Sequence, residues 1–254
     1  SASERLDYPE LALKAAINPN IYKIFRRHHD YTKILEHVTE DLGNKYLNII
    51  LDKYALSAEE IREIIAPLQE IGSPKKYNLK RLDYSVSTTA LRYLKVALDI
   101  KQQVASSRLG NVVEIGCGYG GQALILDKIF KIDSYTFIDL WQVNMLIKRF
   151  LEDASFRTYY NISTLSEINP NHSEWDFVIS NYAFSELPEI IQENYLHKVI
   201  TKSKQGYMIM NSGEKGEFGE VKSYSQNELT DKIKSSKINS EVPLTAPSNY
   251  LLTW

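Results

Sequence analysis

Only one cysteine, Cys117, occurs in 254 residues, which excludes an internal disulfide framework and suits a reducing compartment. Long apolar runs are missing as well. None approaches the ~20 residues of a membrane span, and Ser1-Ala-Ser-Glu-Arg5 carries no apolar signal region. The expectation is a cytoplasmic chain without a membrane span. Neither sign of charge dominates: a net charge of −2 and a pI near 6.2 give no global pull toward nucleic acid or anionic lipid. Histidine is scarce, and His28, His29, His37, His172 and His197 form no H-x-x-x-H or H-E-x-x-H pattern, so no metal site is expected. His28 or His29 would at most line a pocket from above; surface helix positions are their ordinary use. There is no G-x-S-x-G for a serine nucleophile and no G-x-x-x-x-G-K-[ST] for a P-loop.

What is present is a strand running into a glycine turn. Asn111-Val-Val-Glu-Ile-Gly-Cys-Gly-Tyr-Gly-Gly121 joins a β-branched run to Gly116, Gly118, Gly120 and Gly121, and helical spacing follows from Gln122 to Phe130. Such a turn brings backbone N–H groups close to a nucleotide-like ligand. Gly116, Gly118 and Gly121 satisfy the dinucleotide G-x-G-x-x-G. Glu114, Gly116, Gly118 and Gly120 satisfy the E-x-G-x-G of S-adenosylmethionine (SAM) enzymes. The turn alone leaves both cofactors open.

The flanking pattern divides the chain at about residue 80. Residues 1–80 read as helical segments (Leu11–Ala16, Ile21–Phe25, Tyr31–Val38, Lys45–Tyr54 and Ser57–Leu68), the last opened by the capping box Ser57-Ala-Glu-Glu60. Gly72-Ser73-Pro74 marks a linker, and a further helix covers Ser87–Ala105. Residues 81–254 then alternate strands and helices. The strands are Asn111–Ile115, Ser134–Asp139, Arg157–Tyr160, Trp175–Ser180 and Gly206–Asn211. The helices are Gly121–Phe130, Trp141–Leu151 and Glu189–Thr201. This alternation predicts an α/β, Rossmann-like parallel sheet with ligand at the carboxyl ends of its strands. A polar loop and a helix begun by Ser225-Gln-Asn-Glu228 lead to two short strands, Ile238–Val242 and Asn249–Trp254. An antiparallel closing pair of this kind favours SAM, since dinucleotide-binding domains usually end on parallel strands.

Candidate chemistry follows from position. Asp139, 19 residues after Gly120, ends the second strand, where a carboxylate accepts ribose hydroxyls and Leu140 lies against adenine; a helix N-cap is the competing use. Glu114, a charge in an apolar strand, needs something to satisfy it, either the turn around the methionine end of a cofactor or a cation such as Arg92. Cys117 reads as small filler between glycines. The fourth strand delivers Asn181, Tyr182 and Glu186 to the same edge: Asn181 for the amino-acid part of the cofactor, Tyr182 to wall the reactive methyl, Glu186 as general base. For Glu186 a first-turn helix acid is an equal reading. Asn161 follows the third strand, where the adenine amino group is read; bonding to its own backbone is the alternative. Most of the 17 tyrosines read as packing, with Tyr84, Tyr93, Tyr119 and Tyr182 near the turn.

Together, Val113-Glu-Ile-Gly-Cys-Gly-Tyr-Gly-Gly-Gln122, Ser180-Asn-Tyr-Ala-Phe-Ser-Glu-Leu187 and Ser87-Thr-Thr-Ala-Leu-Arg-Tyr93 resemble the sugar O-methyltransferase family of bacterial surface-polysaccharide gene clusters. Asn18-Pro19 and the closing Pro243-Leu-Thr and Asn249-Tyr-Leu-Leu-Thr-Trp254 are similar too, so the likeness covers most of the chain. The family's turn ordinarily has glycine where Cys117 stands. The resemblance implies a class I SAM-dependent methyltransferase fold with an N-terminal helical lid or homodimer surface. It implies methyl transfer to a hydroxyl of a sugar or other small polar acceptor in capsule or lipopolysaccharide biosynthesis. Glu114, Gly116, Gly118, Tyr119, Gly120 and Gln122 would surround SAM, Asp139 would hold the ribose, and Tyr84, Thr88 and Thr89 would close over the amino-acid end, unless the threonines merely cap their helix. Transfer to an amine or amide, an NAD-dependent oxidoreductase and a non-catalytic scaffold are the alternatives.

Overall fold

The computed structural model describes residues 7–171, 174–211 and 222–254; His172 and most of the polar loop after Asn211 lie outside them. Helices α1 (Tyr8–Ile17), α2 (Pro19–Tyr22), α3 (His29–Thr32), α4 (Glu40–Asp52) and α5 (Ala58–Ile65) form the N-terminal block, and a two-stranded hairpin, Tyr77–Asn78 with Ser85–Val86, leads to α6 (Thr88–Val104). The α5 start is the expected capping box: Ser57 Oγ accepts the Glu60 N–H while Glu60 accepts the Ser57 N–H.

Two expectations in this block change. The helix expected over Tyr31–Val38 stops at Thr32, because α6 claims the carbonyls beyond it: Thr88 Oγ1 donates to Val38 O at 2.6 Å and Arg92 Nη2 to Leu35 O at 3.5 Å. The Gly72–Pro74 stretch is tied down rather than loose. Gly72 O accepts the Arg26 N–H, and Ser73 O accepts Arg27 Nε at 2.6 Å.

The rest alternates β1 (Arg108–Ile115), α7 (Gly121–Ile129), β2 (Lys131–Ile138), α8 (Trp141–Asp153), β3 (Tyr160–Ser163), β4 (Trp175–Asn181), α9 (Glu189–Lys198), β5 (Ser203–Met210), α10 (Gln226–Lys232), β6 (Lys237–Ser240) and β7 (Tyr250–Thr253). These strands make one seven-stranded sheet in the order 3-2-1-4-5-7-6, parallel throughout except for β7. The expected Rossmann-like α/β sheet is therefore present, with its closing antiparallel pair and N-terminal helices. The third strand begins three residues later than expected. Ser155 turns the chain at φ +53°, Thr158 Oγ1 bonds the Asp127 carboxylate, and pairing with β2 starts at Tyr160.

Alternation along the strands loads both faces of the sheet. Val112, Tyr135, Phe137 and Phe177 join the core under α6, α7, α8 and the N-terminal helices, while Val113, Ile138, Val178 and Met208 pack on the α9–α10 side. The N-terminal block shares the first core. Arg149 donates to Ala15 O and Ala16 O across α8 and α1, and Phe25, Tyr31, Tyr93 and Phe150 surround the Tyr119 ring.

Within that core lies Arg26, fully buried. Its Nε meets Glu36 Oε1 at 2.6 Å, Nη1 donates to Leu68 O at 2.7 Å, and the guanidinium stands 4.7 Å from the Tyr119 ring centroid. Arg26→Met would leave the buried Glu36 carboxylate unpaired, so a loss of about 3–5 kcal/mol is expected in urea unfolding; a loss below about 1 kcal/mol would make the pair dispensable.

Candidate functional site

A cavity of about 850 Å³ opens at the carboxyl ends of β1, β2 and β4, toward the upper end of the ~300–1,000 Å³ usual for small-molecule sites. This is the point where strand order reverses about β1, the expected ligand crevice of an open α/β sheet. The glycine turn forms its floor. Gly116 sits at φ +72°, and a Cβ there would lie 2.0 Å from the Ala183 Cβ, so only glycine fits between β1 and the segment after β4. Gly118 also lines the cavity, its N–H bonded to Asp139 Oδ2 at 3.1 Å.

Two carboxyl groups face this floor. Glu114 is buried, accepts the Tyr135 hydroxyl at 2.8 Å and has no ion pair with Arg92. Burial pushes its pKa up to about 8, against the Tyr135 bond, with the Asp139 charge adding to the rise. Asp139 is pushed up to about 6 by burial, held back by the N–H groups of Leu140, Gly118 and Cys117. Its Oδ1 accepts from Leu140 N at 2.8 Å, so it braces the glycine turn and its own backbone and does not cap α8, whose N-cap is Leu140 with no side-chain bond. Leu140 and the exposed Trp141 continue the wall, with Thr164, Leu165 and Ser166 opposite. The Cys117 thiol is buried and pushed well up by that burial, an inert filler.

The other wall follows β4. Asn181 donates to Gln122 Oε1 at 3.4 Å, and its buried Oδ1 has no partner among the described residues. Tyr182 adopts φ +70° and gives its hydroxyl to Glu241, with Thr245 Oγ1 at 3.2 Å; Glu241 in turn accepts from Thr245 N and Oγ1. Burial and the neighbouring Tyr46 hold the Tyr182 phenol well above its ordinary value. Glu186 is half-buried, accepts Asn211 Nδ2 at 3.0 Å, and is raised by desolvation against that bond.

Of the expected site residues, Glu114, Gly116, Gly118, Asp139, Leu140, Asn181, Tyr182 and Glu186 line this one cavity, and seven others do not. Tyr119 turns into the core, where its ring packs on Phe25 and Phe150. The space beside Gly120 is filled by Ile147, Leu151 and Phe137. Gln122 is buried behind the wall, donating to Tyr93 O at 3.1 Å. Tyr84 bonds Ala58 O under the Arg62 guanidinium, and Thr88 is spent on Val38 O; neither threonine caps α6, whose Ser87 N-cap makes no side-chain bond. Thr89 is buried, and Asn161 lies inside β3, paired with Thr136. His28 accepts the Asp30 N–H at the start of α3, away from the cavity.

Further lining residues had no cavity role read from the sequence, except Tyr93, which was expected near the turn. Arg92 and Tyr93 on α6, His37 and Leu35 on the segment before α4, and Thr245 and Asn249 on the β6–β7 loop all reach the cavity. For Arg92 the sequence suggested only a cation for Glu114, because sequence does not reveal which way a side chain faces. Desolvation and the Arg92 charge push His37 down to about 4, so its imidazole is neutral at pH 7 even though the residue keeps exposed surface.

No protein-family model matches the chain, and no curated protein matches it. Solved structures similar to it include a SAM-dependent methyltransferase from Clostridium acetobutylicum (10% identity, 64% of this chain and 89% of that one, TM-score 0.49). Thermoplasma acidophilum 1320 (13% identity, 76% and 95%, TM-score 0.46) and the YcgJ protein of Bacillus subtilis (11% identity, 57% and 70%, TM-score 0.43) are others. These scores all lie below 0.5, and function is therefore read from the cavity's own residues.

The Glu114 carboxyl yields a pH prediction. A group raised from its unfolded value of 4.5 to about 8 holds a proton in the folded state that the unfolded chain has released. Folding stability then falls as pH rises through that window. Above about pH 6.5, where Asp139 contributes little further, Glu114→Gln should flatten the decline by about 1–2 kcal/mol in urea titrations run to about pH 8. An unchanged slope would assign the proton elsewhere.

Proposed function

We propose that this protein is a SAM-dependent methyltransferase acting on a hydroxyl of a sugar or other small polar acceptor. The carrying observation is the convergence of the glycine turn, Glu114, Asp139 and Asn181 on one cavity at the carboxyl ends of β1, β2 and β4, in a sheet whose β7 is reversed. The reversed strand also speaks against an NAD-dependent oxidoreductase, whose sheets usually end parallel.

The residues present fit such a cofactor. Gly116 and Gly118 line the cavity with backbone alone, and Asn181 Oδ1 is buried with no partner among the described residues. Glu114, Gly116, Gly118 and Asn181 would take the methionine end, Asp139 the ribose, and Leu140 and Trp141 the adenine. When bound, the sulfonium supplies an electrophilic methyl group. The protein's share is positioning, exclusion of water and removal of the hydroxyl proton. Glu186 is the group for that proton: a carboxyl at the cavity wall, its pKa raised by burial, and held in place by Asn211. Tyr182, fixed by Glu241 and Thr245, would wall the reacting centre. Residues 1–80 would act as a helical cover, since the segment from Ile34 to Leu42 contributes to the cavity.

S-adenosylhomocysteine should raise the melting temperature by mass action while NAD leaves it unchanged; a shift with NAD alone would overturn the reading. Glu186→Gln should lower turnover by about 10²-fold or more, in line with general-base catalysis, with S-adenosylhomocysteine affinity within about threefold of wild type. Unchanged turnover would remove Glu186 from the chemistry.

A further inference from the structure

Arg92 is 5% exposed and lines the cavity, yet it forms no ion pair among the described residues. Among the described residues its one hydrogen bond is a 3.5 Å contact from Nη2 to Leu35 O, and its buried Nε has no partner. Of the nearby acids, Glu36 acts on it only through space and is itself paired with Arg26 at 2.6 Å, and Glu241 is held by Tyr182 and Thr245. Arginine cannot shed its proton to escape burial. A buried guanidinium left in this state is a standing penalty unless something else brings the counter-charge.

Its surroundings indicate where that charge arrives. The guanidinium lies 5.4 Å from the Tyr93 ring and 6.0 Å from the Tyr182 ring, and its charge is felt by Tyr46, Tyr182 and His37. Glu114 and Asp139 at the glycine-turn end answer to burial, to their hydrogen bonds and, for Glu114, to the Asp139 charge, and not to Arg92. The cavity thus has two carboxyl groups at the glycine-turn end and a cationic end bounded by phenols and a neutral imidazole.

We propose that Arg92 is the binding residue for an oxyanion carried by the acceptor, so that the substrate is an acidic sugar or similar polar molecule bearing a carboxylate or phosphate near the hydroxyl to be methylated. This rests on the methyltransferase reading for the identity of the site. The planar fork of arginine suits a two-oxygen contact with either group. Tyr93 and Tyr182 offer faces and hydroxyls for a polar ring.

The test uses the full chain loaded with S-adenosylhomocysteine and three probes: glucuronate, inorganic phosphate and uncharged glucose. Glucuronate or phosphate is expected to bind by calorimetry where glucose does not. Arg92→Gln should weaken the anion about tenfold or more, with S-adenosylhomocysteine affinity changed less than about threefold. The unliganded variant should melt no lower than wild type, since an unpaired buried charge is removed. Arg92→Lys keeps the charge but loses the fork, and should recover only part of the binding. Two outcomes overturn the proposal. One is no binding of either anion to wild type. The other is loss of S-adenosylhomocysteine affinity in Arg92→Gln with 5′-methylthioadenosine binding intact, which would assign Arg92 to the cofactor's own carboxylate. If wild type binds no S-adenosylhomocysteine but still binds glucuronate through Arg92, the anion site stands and the cofactor reading falls.

Discussion

The contact on which most of this architecture depends is the stacking of Arg26 on Tyr119. Tyr119 belongs to the glycine turn, Arg26 to the N-terminal block, and the guanidinium over the ring joins the two through a desolvated cation–π contact. Glu36 holds the guanidinium from one side and the carbonyls of Leu68 and Ile71 from another. The ring also folds back over Gly121, where a Cβ would come within 2.6 Å of it. The turn that shapes the cavity floor is therefore braced from behind by the same helices whose next segment forms the cavity's cover. Floor and cover share one buried fastening.

That arrangement gives a physical meaning to Gly-Tyr-Gly-Gly-Gln. Its glycines shape the backbone of the floor, but Tyr119 and Gln122 work on the far side. Gln122 ties α6 through Tyr93 O and reaches Asn181 with its other end. A residue behind the wall thus orients one in front of it, and changes in either would be felt as misplacement of Asn181.

How much was legible in the sequence depends on whether the signal was local. Strands β1, β2, β4 and β5, the glycine turn, and the Ser57–Glu60 and Ser225–Glu228 boxes rest on neighbouring residues, and they were placed to within a few positions. The β3 start and the end of α3 were misplaced because side chains from elsewhere in the fold decide them: Asp127 at Thr158, and Thr88 and Arg92 at the carbonyls of Val38 and Leu35. Side-chain direction was the least legible property. Glu114 and Asp139 reach the cavity and Tyr119 does not, yet all three flank the same glycines. Arg92, His37 and Thr245 come from three separate segments and meet only after the chain has folded.

The wall beside Tyr182 carries a consequence for how the protein matures. The phenol is anchored by Glu241, 59 residues later in the chain, and the loop holding Glu241 is pinned by β7, whose Tyr250–Thr253 pair with Met210–Tyr207. Loop closure over such separations is slow compared with local helix formation. On a ribosome the glycine turn and first strands emerge long before the last strand exists to complete them. The Tyr182 wall is thus incomplete until β7 has been made, and a nascent chain halted before it would present a half-built crevice to chaperones and proteases.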